Sequence, residues 1–112
     1  MQVIEKNAGP KVGYRTDDTY LSLRDGELIL DLAKYERDFP VHLDICENKF
    51  GMLTMGVSCR YVAQVDIPAR EHDYIADGVD EEGNLKEVPV PVPFDMGNAT
   101  LTLWATGGGS NE

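Results

Sequence analysis

The chain has 112 residues, of which 42% are hydrophobic and 27% are charged, and its formal net charge is −10. This length and balance predict one globular domain with its own core, and the acidic surface disfavours direct binding to nucleic acid or to anionic membranes. With only two cysteines, no apolar leader segment and no run of about 18 apolar residues, we expect a cytoplasmic protein without a disulfide framework or a membrane helix.

The negative charge is concentrated in the last part of the sequence. Residues 1–40 contain six Lys or Arg against eight Asp or Glu, and residues 41–70 contain three of each. Residues 71–112 contain one lysine against nine acids. Such an acidic region has two interpretations: it keeps the domain soluble, or it meets a basic partner.

The first strong structural signal in chain order is YLSLRDGELILDL, residues 20–32. Asp25-Gly26 separates two alternating apolar runs, a pattern that predicts a β-hairpin with a two-residue turn. The register that this turn imposes pairs Arg24 with Glu27, Leu23 with Leu28 and Leu21 with Leu30. The leucines then share one face of the hairpin.

The next segments predict a short helical turn and two strands. LAKYERDFP, residues 32–40, fits a single turn ended by Pro40, and VHLDIC, residues 41–46, alternates as a strand does. Residues 53–67 then carry apolar side chains at every odd position and predict one long strand with a bend or bulge at Gly56. In this interpretation the odd positions face the core, namely Leu53, Met55, Val57, Cys59, Tyr61, Ala63, Val65 and Ile67.

A second hairpin is predicted near residues 70–76 and 86–93, joined by the acidic loop 76–84. Its second arm contains VPVPVP, residues 88–93, whose prolines remove N–H donors from one edge of the strand only. The three valines share one face that can be buried. We interpret this stretch as an edge strand that no other chain can extend, with an exposed docking strip as the alternative. A polyproline helix fits less well because its repeat is three residues.

The last predicted strand is ATLTLWA, residues 99–105, with Trp104 on the threonine side, where it covers a sheet edge or contacts a partner. Residues 107–112 read as a flexible glycine-rich tail. We therefore predict a single all-β domain over residues 1–106, an antiparallel sandwich or barrel with about seven short strands and at most one short helical turn.

Two polar stretches are candidates for chemistry. In HLDIC, the metal-ligand types His42, Asp44 and Cys46 fall on one face of a strand, and Glu47, His72 or Asp73 could add a fourth ligand. In REHDY, Arg70, His72 and Tyr74 share a face and could form an acid–base or anion-recognition cluster. Each set is also what the solvent face of an ordinary strand contains.

No stretch has the pattern of a catalytic motif. The sequence lacks a phosphate-binding glycine loop and a nucleophile elbow, and DGVDEEGN does not have the ligand spacing of a calcium loop. We therefore assign no catalytic residue and no cofactor, and a non-enzymatic role is favoured.

Three functions follow as hypotheses. The first is a β-module that acts by protein binding or assembly, in a particle or a complex, with Trp104 at the contact. The second is an acidic inhibitor that imitates nucleic acid on a basic protein. Its contact residues would be Asp77, Asp80, Glu81 and Glu82. The third is a metal-dependent small-molecule β-barrel enzyme built on the HLDIC ligands. The predicted partner is another protein or a second copy of the chain.

Overall fold

The computed structural model describes residues 1–106, and the regular structure of this part of the chain is almost entirely β. Its ten strands are β1 Gln2–Glu5, β2 Tyr14–Asp17, β3 Tyr20–Leu23, β4 Leu28–Asp31, β5 Val41–Glu47, β6 Leu53–Met55, β7 Arg60–Ile67, β8 His72–Val79, β9 Leu85–Pro91 and β10 Thr100–Leu103. Single 3-10 turns lie at Leu32–Lys34 and Met96–Asn98. The all-β prediction is confirmed, with ten strands in place of about seven, two short helical turns in place of at most one, and one parallel pair of strands among the antiparallel ones. The tail at 107–112 lies outside the described residues.

The strands form three sheets. The largest has the order β1-β10-β7-β5-β6, and β1 lies parallel to β10 while its other pairs are antiparallel. The second is β2-β3-β4, and the third is the two-stranded β8-β9. Over residues 1–106 none of the sheets closes into a barrel. Nor does that range include a helix with the length and apolar character needed to cross a bilayer.

The first two sheets share one hydrophobic core and form the body of the protein. Leu21, Leu23 and Leu30 of the second sheet lie in the same buried cluster as inward-facing residues of the first, including Ile45, Val65 and Leu101. Packing two sheets face to face in this way is the arrangement of a sandwich.

The predicted hairpin is present as β3 and β4. Leu21 pairs with Leu30 and Leu23 with Leu28, which confirms the register. Arg24, Asp25 and Gly26 have φ angles of 52°, 55° and 86°, and the ladder ends at Leu23 opposite Leu28. The turn therefore spans the four residues 24–27 in place of the predicted two, and Arg24 and Glu27 meet through side-chain hydrogen bonds.

The predicted long strand at 53–67 is two strands. β6 and β7 lie on opposite sides of β5, so residues 56–59 pass across the end of β5 from one side to the other. Gly56, with φ 97°, begins this crossing and donates its N–H to the carbonyl of Asp44. Cys59 lies in the crossing and is exposed, so its predicted place in the core is wrong.

A register shift also corrects the predicted position of Tyr61. Ile45 pairs with Ala63, but the next residue, Cys46, pairs with Tyr61, so Val62 is an extra residue in β7. An inserted residue reverses the alternation of side chains beyond it. Tyr61 therefore lies away from the core face, where its ring stacks on Trp104 with 5.3 Å between centroids.

The second predicted hairpin is present as β8 and β9, and we call residues 72–91 the arm. Tyr74 pairs with Pro89 and His72 with Pro91. Just beyond them, Val92 donates its N–H to Glu71 across the pair. Successive residues of a strand point their N–H groups to opposite edges, and that of Val92 points toward β8. Pro89 and Pro91 therefore occupy outward positions of β9, and the prediction of an edge stripped of donors agrees with this register.

The arm makes the molecule long. Its extents are 71 × 23 × 22 Å and its radius of gyration is 19.0 Å, whereas a compact domain of 100 residues has a radius of gyration of about 13 Å. No residue of β8 or β9 belongs to the described core. The arm therefore projects from the body as a separate two-stranded element.

Candidate protein-binding site

The arm is exposed to solvent along both strands. Every residue of β8 is exposed, and in β9 only Val88 is half-buried. The exposed residues include large apolar side chains: Leu85 is 72% exposed and Ile75 is 52% exposed, and they are joined by Tyr74, Val79 and Val90. An isolated two-stranded hairpin is marginally stable in water, and contiguous exposed apolar side chains mark interaction sites.

The arm also carries an uncompensated negative charge. It contains six acidic side chains and one lysine, Lys86. Within residues 1–106 none of these acids forms an ion pair. The arm is thus apolar and acidic together, which is the combination expected of a surface that meets an apolar, basic partner.

One acid at the tip has a structural role. The Asp80 carboxylate accepts hydrogen bonds from the backbone N–H groups of Glu82 and Asn84, each at 2.9 Å. These bonds, with that from Asn84 the largest cause, lower the pKa of Asp80 below its ordinary value. Of the predicted contact residues, Asp77, Glu81 and Glu82 are therefore free to face a partner, while Asp80 holds the turn.

The predicted cluster of Arg70, His72 and Tyr74 fastens the base of the arm to the body. Arg70 donates from Nη1 to Asp38 at 3.0 Å and from Nη2 to the carbonyl of Glu36 at 2.9 Å. His72 Nε2 lies 3.8 Å from the same Asp38 carboxylate. Tyr74 is farther along the arm and exposed. The three residues do not converge on a common point, so their chemistry is that of an ion-paired anchor.

The structure brings His42 and Asp44 together and adds a carboxylate that the sequence did not predict. His42 Nδ1 is 2.7 Å from Asp66 and its Nε2 is 2.8 Å from Asp44. The hydrogen bond to Asp66, followed by that to Asp44, raises the pKa of His42 above its ordinary value. The two carboxylates occupy both ring nitrogens of His42 and favour the protonated imidazolium over the neutral ring.

Cys46 does not join this pair. It is fully buried and lies beyond the register shift, opposite Tyr61. Of the proposed fourth ligands, Glu47 is paired with Arg24 and Arg60, and His72 and Asp73 lie on the arm. Within the described range, no group of three or more His, Cys, Asp or Glu side chains is arranged to hold a metal ion.

Trp104 belongs to the same solvent-facing network of the body. Its indole N–H donates to Gln64 Oε1 at 2.9 Å, and Gln64 in turn donates to Asp44. The hydrogen bond from Gln64 is the largest cause of a lowered pKa at Asp44. Lys6 Nζ lies 5.7 Å from the Trp104 ring centroid. Trp104 is therefore half-buried among partners within its own chain.

A second exposed apolar surface was not predicted. It lies in residues 48–60, which we call the distal segment, where Phe50 is 73% and Val57 is 70% exposed and Met52 and Met55 are also exposed. The periodicity of residues 53–67 predicted Met55 and Val57 in the core. The crossing from β6 to β7 exposes them, and the bend predicted at Gly56 marks where that crossing begins.

A cluster of charged groups holds the distal segment in place. Arg24 bonds Glu27 through two nitrogens and Glu47 through a third, all at 2.8 Å, and its Nη2 donates to the carbonyl of Gly51 at 2.6 Å. Glu27 also accepts the N–H of Leu53 at 2.9 Å. The Arg24 hydrogen bonds are the largest cause that lowers the pKa of Glu27 to about 2.

No protein-family model matches the chain, and neither a curated protein nor a solved structure matches it.

Proposed function

We propose that this chain is a non-enzymatic β-module that binds another protein subunit through its arm, as a component of a complex or particle. The observation that carries the proposal is the arm itself. It is a hairpin without a core, and it holds apolar side chains in solvent. A domain with a complete core has no need of such an element for its own folding.

The energetics favour a role in binding. Moving a large apolar side chain from water into a contact contributes about 1.5–3 kcal/mol. The arm holds several such side chains, among them Tyr74, Ile75 and Leu85. Its ordered hairpin and its anchor at Arg70 reduce the conformational entropy that binding must remove. A partner that covers the arm would therefore gain binding free energy from these side chains and would also stabilise the hairpin.

Photo-crosslinking in cells that naturally contain the protein tests this proposal. A photo-reactive side chain is placed at position 85 in the arm, and the matched control carries it at position 29, which is exposed on β4. We expect cross-links to a protein from position 85 and few from position 29. Mass spectrometry of the product tells a second copy from a different protein. Equal or absent cross-linking at the two positions would reject the arm as the binding element.

The acidic inhibitor is a second candidate, and it is favoured by the unpaired acids at the tip of the arm. A basic nucleic-acid-binding surface would attract Asp77, Glu81 and Glu82. Its test reverses these three acids to lysine and leaves Asp80 in place, because Asp80 holds the turn. Loss of the arm's cross-linked partner at low salt supports this function. An unchanged yield of cross-links contradicts it.

A further inference from the structure

We infer that the arm of one copy docks on the distal segment of a second copy, so that the protein assembles head to tail. This inference rests on the proposed function and names the partner. It is carried by four properties of the two surfaces: their positions, their charges, their apolar side chains and the rigidity of the distal segment.

The two surfaces lie at opposite ends of the strands that connect them. β5 pairs with β7 from Val41 opposite Ile67 to Glu47 opposite Arg60. The arm begins five residues after Ile67 and is anchored to Asp38, just before Val41. The distal segment joins Glu47 to Arg60. The molecule is 71 Å long and about a third as wide. With the two surfaces at opposite ends of these strands, the arm of one copy can reach the distal segment of the next.

The charges of the two surfaces are complementary. The distal segment contains Lys49 and Arg60 and no acidic residue, whereas the arm has six acids and one lysine. Two arms placed together would repel each other, because each has the same excess of negative charge. Pro89 and Pro91 also deprive the outer edge of β9 of the donors that a sheet between two arms would need.

Both surfaces offer apolar side chains of comparable exposure. Phe50 and Val57 on the distal segment match Ile75 and Leu85 on the arm in being more than half exposed. The other exposed apolar side chains of the strands in the body include Tyr20, which lies opposite Asp17 and Asp31, and Ile29, which lies opposite Ser22. The acids beside the distal segment, Glu27 and Glu47, are paired with Arg24 and Arg60, and within the described residues Lys49 forms no ion pair and can attract an acidic arm.

The distal segment is also presented rigidly. Arg24 and Glu27 tie it to the turn between β3 and β4 through the hydrogen bonds at Gly51 and Leu53. A surface that is already ordered loses little conformational entropy when it is bound. Because the arm and the distal segment are different surfaces, each copy keeps one of each free, and the contact generates a ring or a filament.

Sedimentation velocity over a concentration series tests the inference with the full chain and three double variants. The arm variant is Ile75→Ser with Leu85→Ser, and the distal variant is Phe50→Ser with Val57→Ser. The control is Tyr20→Ser with Ile29→Ser. All six side chains are exposed, so the core is untouched in each variant. We expect the average mass of the wild type and of the control to rise with protein concentration. Each of the other two variants should associate at least about tenfold more weakly.

The decisive sample is the equimolar mixture of the arm variant and the distal variant. The intact arm of one can dock on the intact distal segment of the other, and no further contact is then available. The mixture should therefore form a one-to-one heterodimer and nothing larger, at concentrations where each variant alone remains a monomer. This behaviour separates a head-to-tail contact from one in which a surface meets its own copy.

Three results would overturn the inference: a wild type that stays monomeric at every concentration, variants that associate like the control, or a mixture that stays monomeric. These failures are distinguishable from failure of the proposed function. A monomeric wild type whose position 85 still cross-links to a different protein rules out the second copy as partner and leaves binding by the arm in place. The absence of any cross-link at position 85 rules out both.

Discussion

The body and the arm are built from the same kind of strand and differ in what lies against them. In the body, alternate side chains of two sheets meet in one core, and Leu21, Val65 and Leu101 are completely buried. In the arm, two strands pair in the same way apart from a register shift between Ala76 and Val79, but no second layer covers either face. Alternation therefore specifies a strand, while a facing layer decides whether that strand contributes to the stability of the domain.

The largest expected difference between the two regions is the cost of removing a leucine. Leu101→Ala on β10 leaves a cavity in the core and should lower the free energy of unfolding by about 2–5 kcal/mol. Leu85→Ala on the arm removes a side chain that is already in solvent and should change it by less than about 0.5 kcal/mol. Urea denaturation of both variants at a low protein concentration measures the two costs.

Equal costs for the two leucines would contradict this difference between the body and the arm. A large cost at Leu85 would mean that the arm folds together with the body as one packed unit. A small cost at Leu101 would mean that the shared core does not determine stability. The low protein concentration matters, since an assembled arm would be covered by its partner.

An effect of intermediate size on the free energy of unfolding is expected at the anchor, where Arg70 holds the arm to the body. Arg70→Ala removes the ion pair with Asp38 and the hydrogen bond to the carbonyl of Glu36. Since Arg70 is partly exposed, the free energy of unfolding of the body should fall by about 1 kcal/mol or less. The orientation of the arm should change much more, because its other contacts with the body are few.

Small-angle scattering and backbone relaxation of Arg70→Ala report this orientation directly. We expect a broader distribution of overall dimensions and faster motion of β8 and β9, with the relaxation of β7 and β10 unchanged. Arg37→Ala is a matched control, because the Arg37 side chain bonds only carbonyls of its own segment and the substitution keeps the backbone carbonyl that accepts the N–H of Arg70. Rigid tumbling of the arm with the body in the Arg70 variant would show that this anchor does not position it.

Features set by neighbours in sequence could be predicted. The hairpin at β3 and β4 follows from Asp25-Gly26, and the one-sided edge of β9 follows from the spacing of its prolines, since both depend on backbone geometry over a few residues. Strands fixed by distant partners could not. β1 pairs in parallel with β10 at the other end of the described chain. β2 was missed for a different reason: it pairs with the neighbouring β3, but it is short and polar.

In the candidate site, too, some features could be predicted from the sequence and others could not. The acidic character of the arm could be read from composition, and its two strands from their pattern. Its exposure could not, because alternation looks the same with and without a covering layer. The burial of Cys46 and the inversion at Tyr61 depend on one extra residue, Val62, in a strand whose sequence gives no sign of it. The distal segment was missed because β6 and β7 have the periodicity of a single strand.

The smallest expected effect belongs to the body alone and depends on pH. His42 has a raised pKa in the folded protein because it bonds Asp66 and Asp44. Protonation of His42 is therefore linked to folding. Its contribution is fully present below the ordinary histidine pKa of 6.5 and is lost as the pH rises through the higher folded value. His42 is half exposed, so this contribution should be well below 1 kcal/mol, or about a few tenths.

Comparison of the wild type with His42→Gln by urea denaturation at several pH values measures this term. The difference in the free energy of unfolding should be largest on the acidic side and should shrink toward alkaline pH. The matched control is His72→Gln, because His72 faces only Asp38 at 3.8 Å and lies on the arm. Since the arm adds little to the stability of the body, that difference should be small throughout. A pH dependence at His72 that equals the one at His42 would show that the two regions do not unfold independently.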